Sequence, residues 1–192
     1  MFVMIYGMEK SVLISFRLCM ASVLLIALQP ACGADWRYED DELEISAFNR
    51  SPDQVASFYE GRGFPKPMID ATRNQCFIVW SIRNKTAHVL LMDLARWSFV
   101  AESGLVTRVT RAQWFKLWER MGAPANSRAT FRWTLLPETL DLQPNESVGG
   151  NITLAAFNAP FEVTMSFAAG GLHAATAKRV QIKGVQCAHD TH

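Results

Sequence analysis

The chain has 192 residues, 49% of them hydrophobic, with 19 Lys and Arg against 18 Asp and Glu. A formal charge of +1 leaves no cationic surplus to neutralise a phosphate backbone, which sets nucleic-acid binding aside. Without the first 34 residues, which carry Lys10, Arg17 and Glu9, 158 residues remain with 17 cations and 17 anions, enough for one domain with a sizeable core.

Those first residues read as a leader. Lys10 and Arg17 precede the apolar run Leu18–Leu28, and Gln29-Pro30-Ala31-Cys32-Gly33-Ala34 follows. A positive start, a short apolar centre and small residues after it have the form of a secretory signal. The run is shorter than the roughly 20 apolar residues a membrane-spanning helix needs. Its end resembles a bacterial lipoprotein signal, with Cys32 as the lipidated residue, although Gln29 stands where that family has Leu. The other reading is cleavage near Ala34, leaving Asp35 first. Either way the mature chain is expected outside the cytoplasm, in the periplasm or held at the outer membrane, and touching a membrane only through a lipid on Cys32.

Residues 35–50 open with acids, Glu39, Asp40, Asp41 and Glu42 in a row and Glu44 after Leu43, and read as a solvated leading arm. One globular domain is expected over 51–187, with a frayed tail over 188–192. Ser51-Pro52-Asp53-Gln54 is a helix start, since Ser51 can cap, Pro52 suits the first turn and Gln54 completes a capping box. Val55, Phe58 and Tyr59 follow at helical spacing, and Met68, Ile69 and Thr72 mark a second short helix.

Cys76–Ile82 is apolar on both faces except at Ser81 and reads as a central strand. Arg83-Asn84-Lys85-Thr86 is a turn, and strands are expected over His88–Met92, Trp97–Val100 and Leu105–Val109. Thr110 and Gln113 form a second capping box, ahead of a helix near 111–121 with Trp114, Leu117, Trp118 and Met121 on one side. Beyond Pro124, period-two alternation predicts strands at Thr130–Leu136, through Phe131, Trp133 and Leu135, then through Ile152 and Leu154, and through Phe161–Phe167. Lys178–Cys187 gives the last strand. About seven strands and three helices result, with no repeat, which favours an α+β domain built on an antiparallel sandwich.

The order Asn84 in a polar turn, Asp93 after a strand, then Phe99, followed by L-x-P-x-E-x-x-x-G-x-I-x-L over Leu142–Leu154, resembles the immunoglobulin-like domains of bacterial envelope lipoproteins. The resemblance spans Cys76 to Cys187 and implies an Ig-like β-sandwich. It carries no catalytic residue with it, and such domains need no helix near 111–121.

With Cys19 and Cys32 in or at the edge of the leader, Cys76 and Cys187 remain, and in an exported chain such a pair reads as a disulfide. Asp93 reads as a buried acid near Arg96 or as an edge residue at a bulge. Cys187, His189, Asp190 and His192 lie close enough to raise metal binding, but they end the chain, where no framework fixes ligand geometry, and no metal or other cofactor is expected. His88 reads as structural and His173 as a loop residue. Gly149-Gly150 and Gly170-Gly171 lack the Lys-Ser or Lys-Thr of a phosphate-cradling loop, and no G-x-S-x-G occurs. The expectation is a non-enzymatic module that binds another envelope protein or component, with Trp114 and Trp118 as its candidate partner surface. The alternative is a small-ligand or metal carrier using Met92, Met165 or His173.

Overall fold

The computed structural model describes residues 35–169 and 177–190. The leader with Cys32, His173 and His192 lie outside them. Among the described residues eleven strands and four helices form. The first sheet runs β1 (Trp36–Glu39), β2 (Leu43–Arg50), β3 (Gln75–Asn84), β9 (Ser147–Ala155), β7 (Arg108–Val109). In the second sheet β10 (Phe161–Ala169) is central. On one side it pairs with β11 (Ala177–Val185); on the other β4 (Leu90–Asp93) and β5 (Ser98–Ala101) lie end to end. β8 (Thr139–Leu142) flanks β4 and β6 (Gly104–Leu105) flanks β5. Every ladder is antiparallel. The 3-10 turn Leu94–Arg96 separates β4 from β5; Asp93 caps it, its Oδ1 accepting from the Ala95 amide at 2.9 Å.

The two sheets bury one core between them. Ile78, Trp80 and Ile82 of β3, Leu154 of β9 and Val163, Met165 and Phe167 of β10 all point into it. Phe77 points the other way, into a second core against α1 (Pro52–Glu60), α2 (Lys66–Arg73), α3 (Arg111–Arg120) and α4 (Ala125–Thr134). The result is a three-layered α+β domain: helices, first sheet, second sheet.

Residues 35–50 are not a free arm. Leu43, Ile45 and Ala47 alternate into the core, and the acids cluster in the β1–β2 turn, where cations answer them. Lys178 pairs with Asp40 and Glu42, Lys85 with Glu39, and Arg37 with Glu39 and Glu44. Burial alone would raise the Asp40 carboxyl. The Lys178 ammonium, the Tyr38 hydroxyl and the amides of Leu43 and Glu42 outweigh it and hold that carboxyl well below the usual range.

Thr130–Leu136 is not a strand. It is the end of α4 and the turn after it: Ser127 and Phe131, four apart, face inward while Trp133 faces out. Nor is Leu105–Val109 one strand. β6 ends in the second sheet, Val106 drops into the core, and β7 joins the first sheet.

Two side-chain arrangements fix the sheet ends. Asn84, fully buried, donates from Nδ2 to the carbonyls of His88, Leu142 and Gln143 at 2.7, 3.0 and 3.1 Å, and its Oδ1 accepts from the Thr86 amide and hydroxyl. Cys76 and Cys187 form a disulfide with Cα atoms 5.4 Å apart, closing a separation of 111 residues.

Candidate interaction surface

The helical layer hangs on a tight approach between α4 and β9. Leu136 N–H donates to the Asn151 carbonyl at 3.0 Å, and Asn151 Nδ2 donates to the Thr134 carbonyl at 2.8 Å. Gly150 makes room: a Cβ there would stand 2.5 Å from the Leu136 nitrogen. At the same end of α4 the Tyr59 and Thr134 hydroxyls meet at 2.7 Å, tying α1 to α4.

Trp114 and Trp118 face inward. They are 1% and 0% exposed, stack at 4.9 Å between centroids, and both meet the Phe131 ring edge-on. Trp114 Nε1 donates to Thr153 Oγ1 at 2.8 Å, and that hydroxyl donates to the Val109 carbonyl. As a partner surface the pair is therefore corrected: α3 packs its aromatic stripe on the sheet because an amphipathic helix beside an open sheet face buries its apolar side.

Among the described residues the most exposed aromatic is Trp133, 84% accessible, with Phe58 of α1 next at 40%. Trp133 stands on the outer face of α4 with Arg132, among the small exposed residues Ala125, Asn126 and Ala129. α3 and α4 run antiparallel, since Arg111 at the start of α3 donates from Nη2 to the Leu135 and Leu136 carbonyls after the end of α4. Over Arg111–Thr134 the chain carries Arg111, Lys116, Arg120, Arg128 and Arg132 against Glu119 alone, a net of +4. Burial, then the neighbouring Arg132 charge, hold the Arg111 guanidinium below its ordinary value. Glu138 balances Arg108 at 2.7 Å and accepts from the Arg111 amide at 2.8 Å, so the start of α3 is already capped.

The other candidate residues fall elsewhere. Met92 and Met165 are fully buried in the sandwich core and offer no surface to a ligand or metal. Cys187 is spent in the disulfide, and Asp190 accepts from the Asp53 amide. His88 is exposed, its carbonyl held by Asn84. Asp93 has Arg96 Nε at 3.6 Å and serves the 3-10 turn. Asp35, Trp36, Asn49, Gly184 and Gln186 line an open polar depression of about 450 Å³ beside β1 and β11.

No protein-family model and no curated protein matches the chain. Among solved structures it is similar to one described as "a putative lipoprotein (ycdA)" from Bacillus subtilis, at 11% identity and a TM-score of 0.40. That alignment covers 77% of this chain and 38% of the other, so the chain spans under two fifths of that protein's length.

Proposed function

We propose that the protein is an exported bacterial envelope protein, without catalytic activity, that works by binding another component of the envelope through the outer face of α4. The observation that carries the reading is Trp133, 84% exposed beside Arg132 on a helix whose opposite side is locked into a core. Trp and Arg are the side chains that most often anchor binding surfaces. A rigid helix presents them without an ordering cost at the moment of contact.

Export is supported by the form of the leader and by the Cys76–Cys187 disulfide, which an oxidising compartment preserves. On this reading the sandwich is immunoglobulin-like, because the residues that carry the resemblance act together. Asn84 binds the carbonyls of Leu142 and Gln143, at the head of the segment that leads into β9.

The test is photo-crosslinking in intact cells. A photo-reactive residue in place of Trp133 is expected to form a discrete adduct, while one in place of Lys183, exposed on the far sheet, is not. Equal labelling from both positions, or none from 133, refutes the binding role. Recovery of the chain from the cytoplasm with free thiols refutes export.

A further inference from the structure

The two charged regions of this domain differ in one respect. In the β1–β2 hairpin each acid in the network has a cationic partner, from Lys178, Lys85 or Arg37. On α3 and α4, Lys116, Arg120, Arg128 and Arg132 form no ion pair among the described residues, and Lys116, Arg120 and Arg132 are exposed. The mature chain sums to zero, so this +4 is a local field and not a general property of the surface. It calls for an anionic occupant.

The apolar content of the face narrows the choice. Its outer apolar anchor is the single indole of Trp133, set among Ala125 and Ala129. A stable protein interface buries roughly 800 Å² per partner around a cluster of anchors, and one Trp on a flat helix does not supply that. A lipid surface asks for less. Affinity there follows apolar insertion plus about 1 kcal/mol per cation near anionic headgroups, and Trp favours the headgroup level.

We infer that the outer face of α4 rests on an anionic phospholipid surface, the Trp133 indole among the headgroups and Arg132 with the exposed cations of α3 against their phosphates. The inference deepens the binding role and rests on it. It names the membrane itself as the component bound.

The experiment uses the unlipidated mature chain beginning at Asp35, so that no acyl chain contributes. It is sedimented with vesicles of phosphatidylethanolamine and phosphatidylglycerol, and with vesicles of phosphatidylcholine alone. Binding is expected only to the first, with strong weakening by salt. Trp133→Ala and Arg132→Glu should each reduce the bound fraction roughly tenfold, and Leu105→Ser, an exposed apolar residue on the second sheet, should leave it unchanged. Brominated phosphatidylglycerol should quench fluorescence in the parent and not in Trp133→Phe. Equal binding to both vesicles, binding indifferent to Arg132→Glu, or no binding at all overturns the inference. Trp133-dependent binding to soluble polyglutamate without vesicle binding overturns it in favour of an acidic polypeptide. In each of these cases a protein adduct from position 133 in cells would still uphold the broader binding role, and the absence of any adduct would end both.

Discussion

Asn84→Ala tests how the sandwich is held at the end away from the helices. Asn84 is 0% exposed, and its amide serves three carbonyls while its oxygen serves Thr86. Truncation takes the Asn84 donor from the Leu142 carbonyl, which keeps its ladder partner Leu90, a cost of about 0.5–1.5 kcal/mol. The His88 and Gln143 carbonyls lie nearer the surface and recover water, so each loses about 0.5–1 kcal/mol. The sum is about 1.5–3.5 kcal/mol, a fall in Tm of roughly 3–14 °C for a domain of this size. Urea denaturation and calorimetry of the oxidised protein measure it.

Asn84→Asp keeps the shape but turns an oxygen toward the same carbonyls. It should cost more than the Ala variant at pH 7. The folded state disfavours the introduced charge, so the proton is held more tightly folded than unfolded, and stability should return as pH falls. A loss under about 0.5 kcal/mol in Asn84→Ala, or an Asp variant no worse than the Ala one, would refute the account of this joint.

Three further outcomes follow from the packing. Gly150→Ala forces a Cβ against the Leu135–Leu136 backbone and should cost about 1–3 kcal/mol, read by urea denaturation, with amide exchange rising at Leu136. Reducing the Cys76–Cys187 disulfide, or Cys187→Ser, should lower stability by about 4 kcal/mol, since the bridge closes a loop of 111 residues; denaturation with and without reductant shows it. Asp40 is depressed in the folded state, so its contribution is present above the ordinary carboxylate range and lost as pH falls below about 4. Asp40→Asn should therefore flatten the acid side of the Tm profile, and high salt should do the same to the parent.

What the sequence makes legible is what short-range bonds encode. Ser51 with Gln54 and Thr110 with Gln113 mark helix starts because each pair satisfies amides three residues away. The disulfide is legible because only Cys76 and Cys187 remain after the leader. β1 and β2 hide behind charge: the alternation Leu43, Ile45, Ala47 is present, but the acids beside it match a solvated tether until Lys178, over 130 residues away, is seen to answer them. α4 hides behind a coincidence of periods, since Phe131, Trp133 and Leu135 alternate like a strand while Phe131 also pairs with Ser127 at helical spacing.

The proposed interaction surface is the least legible part. Trp114, Trp118 and Trp133 look alike in sequence; which of them faces water depends on the turn at Pro124 and on how closely Gly150 lets α4 approach β9. The charge of +4 is spread over two helices and emerges as one field only when they fold back on each other.

The proposed binding role requires the outer face of α4 to be covered in its working setting. Hydroxyl-radical footprinting of Trp133, in the free mature protein and in intact cell envelopes, measures that cover directly, with Leu105 as an exposed reference on the second sheet. A binding role through this face requires rapid oxidation of both residues in the free protein and protection of Trp133 alone in the envelope. Trp133 oxidised as fast in the envelope as in free solution would contradict it.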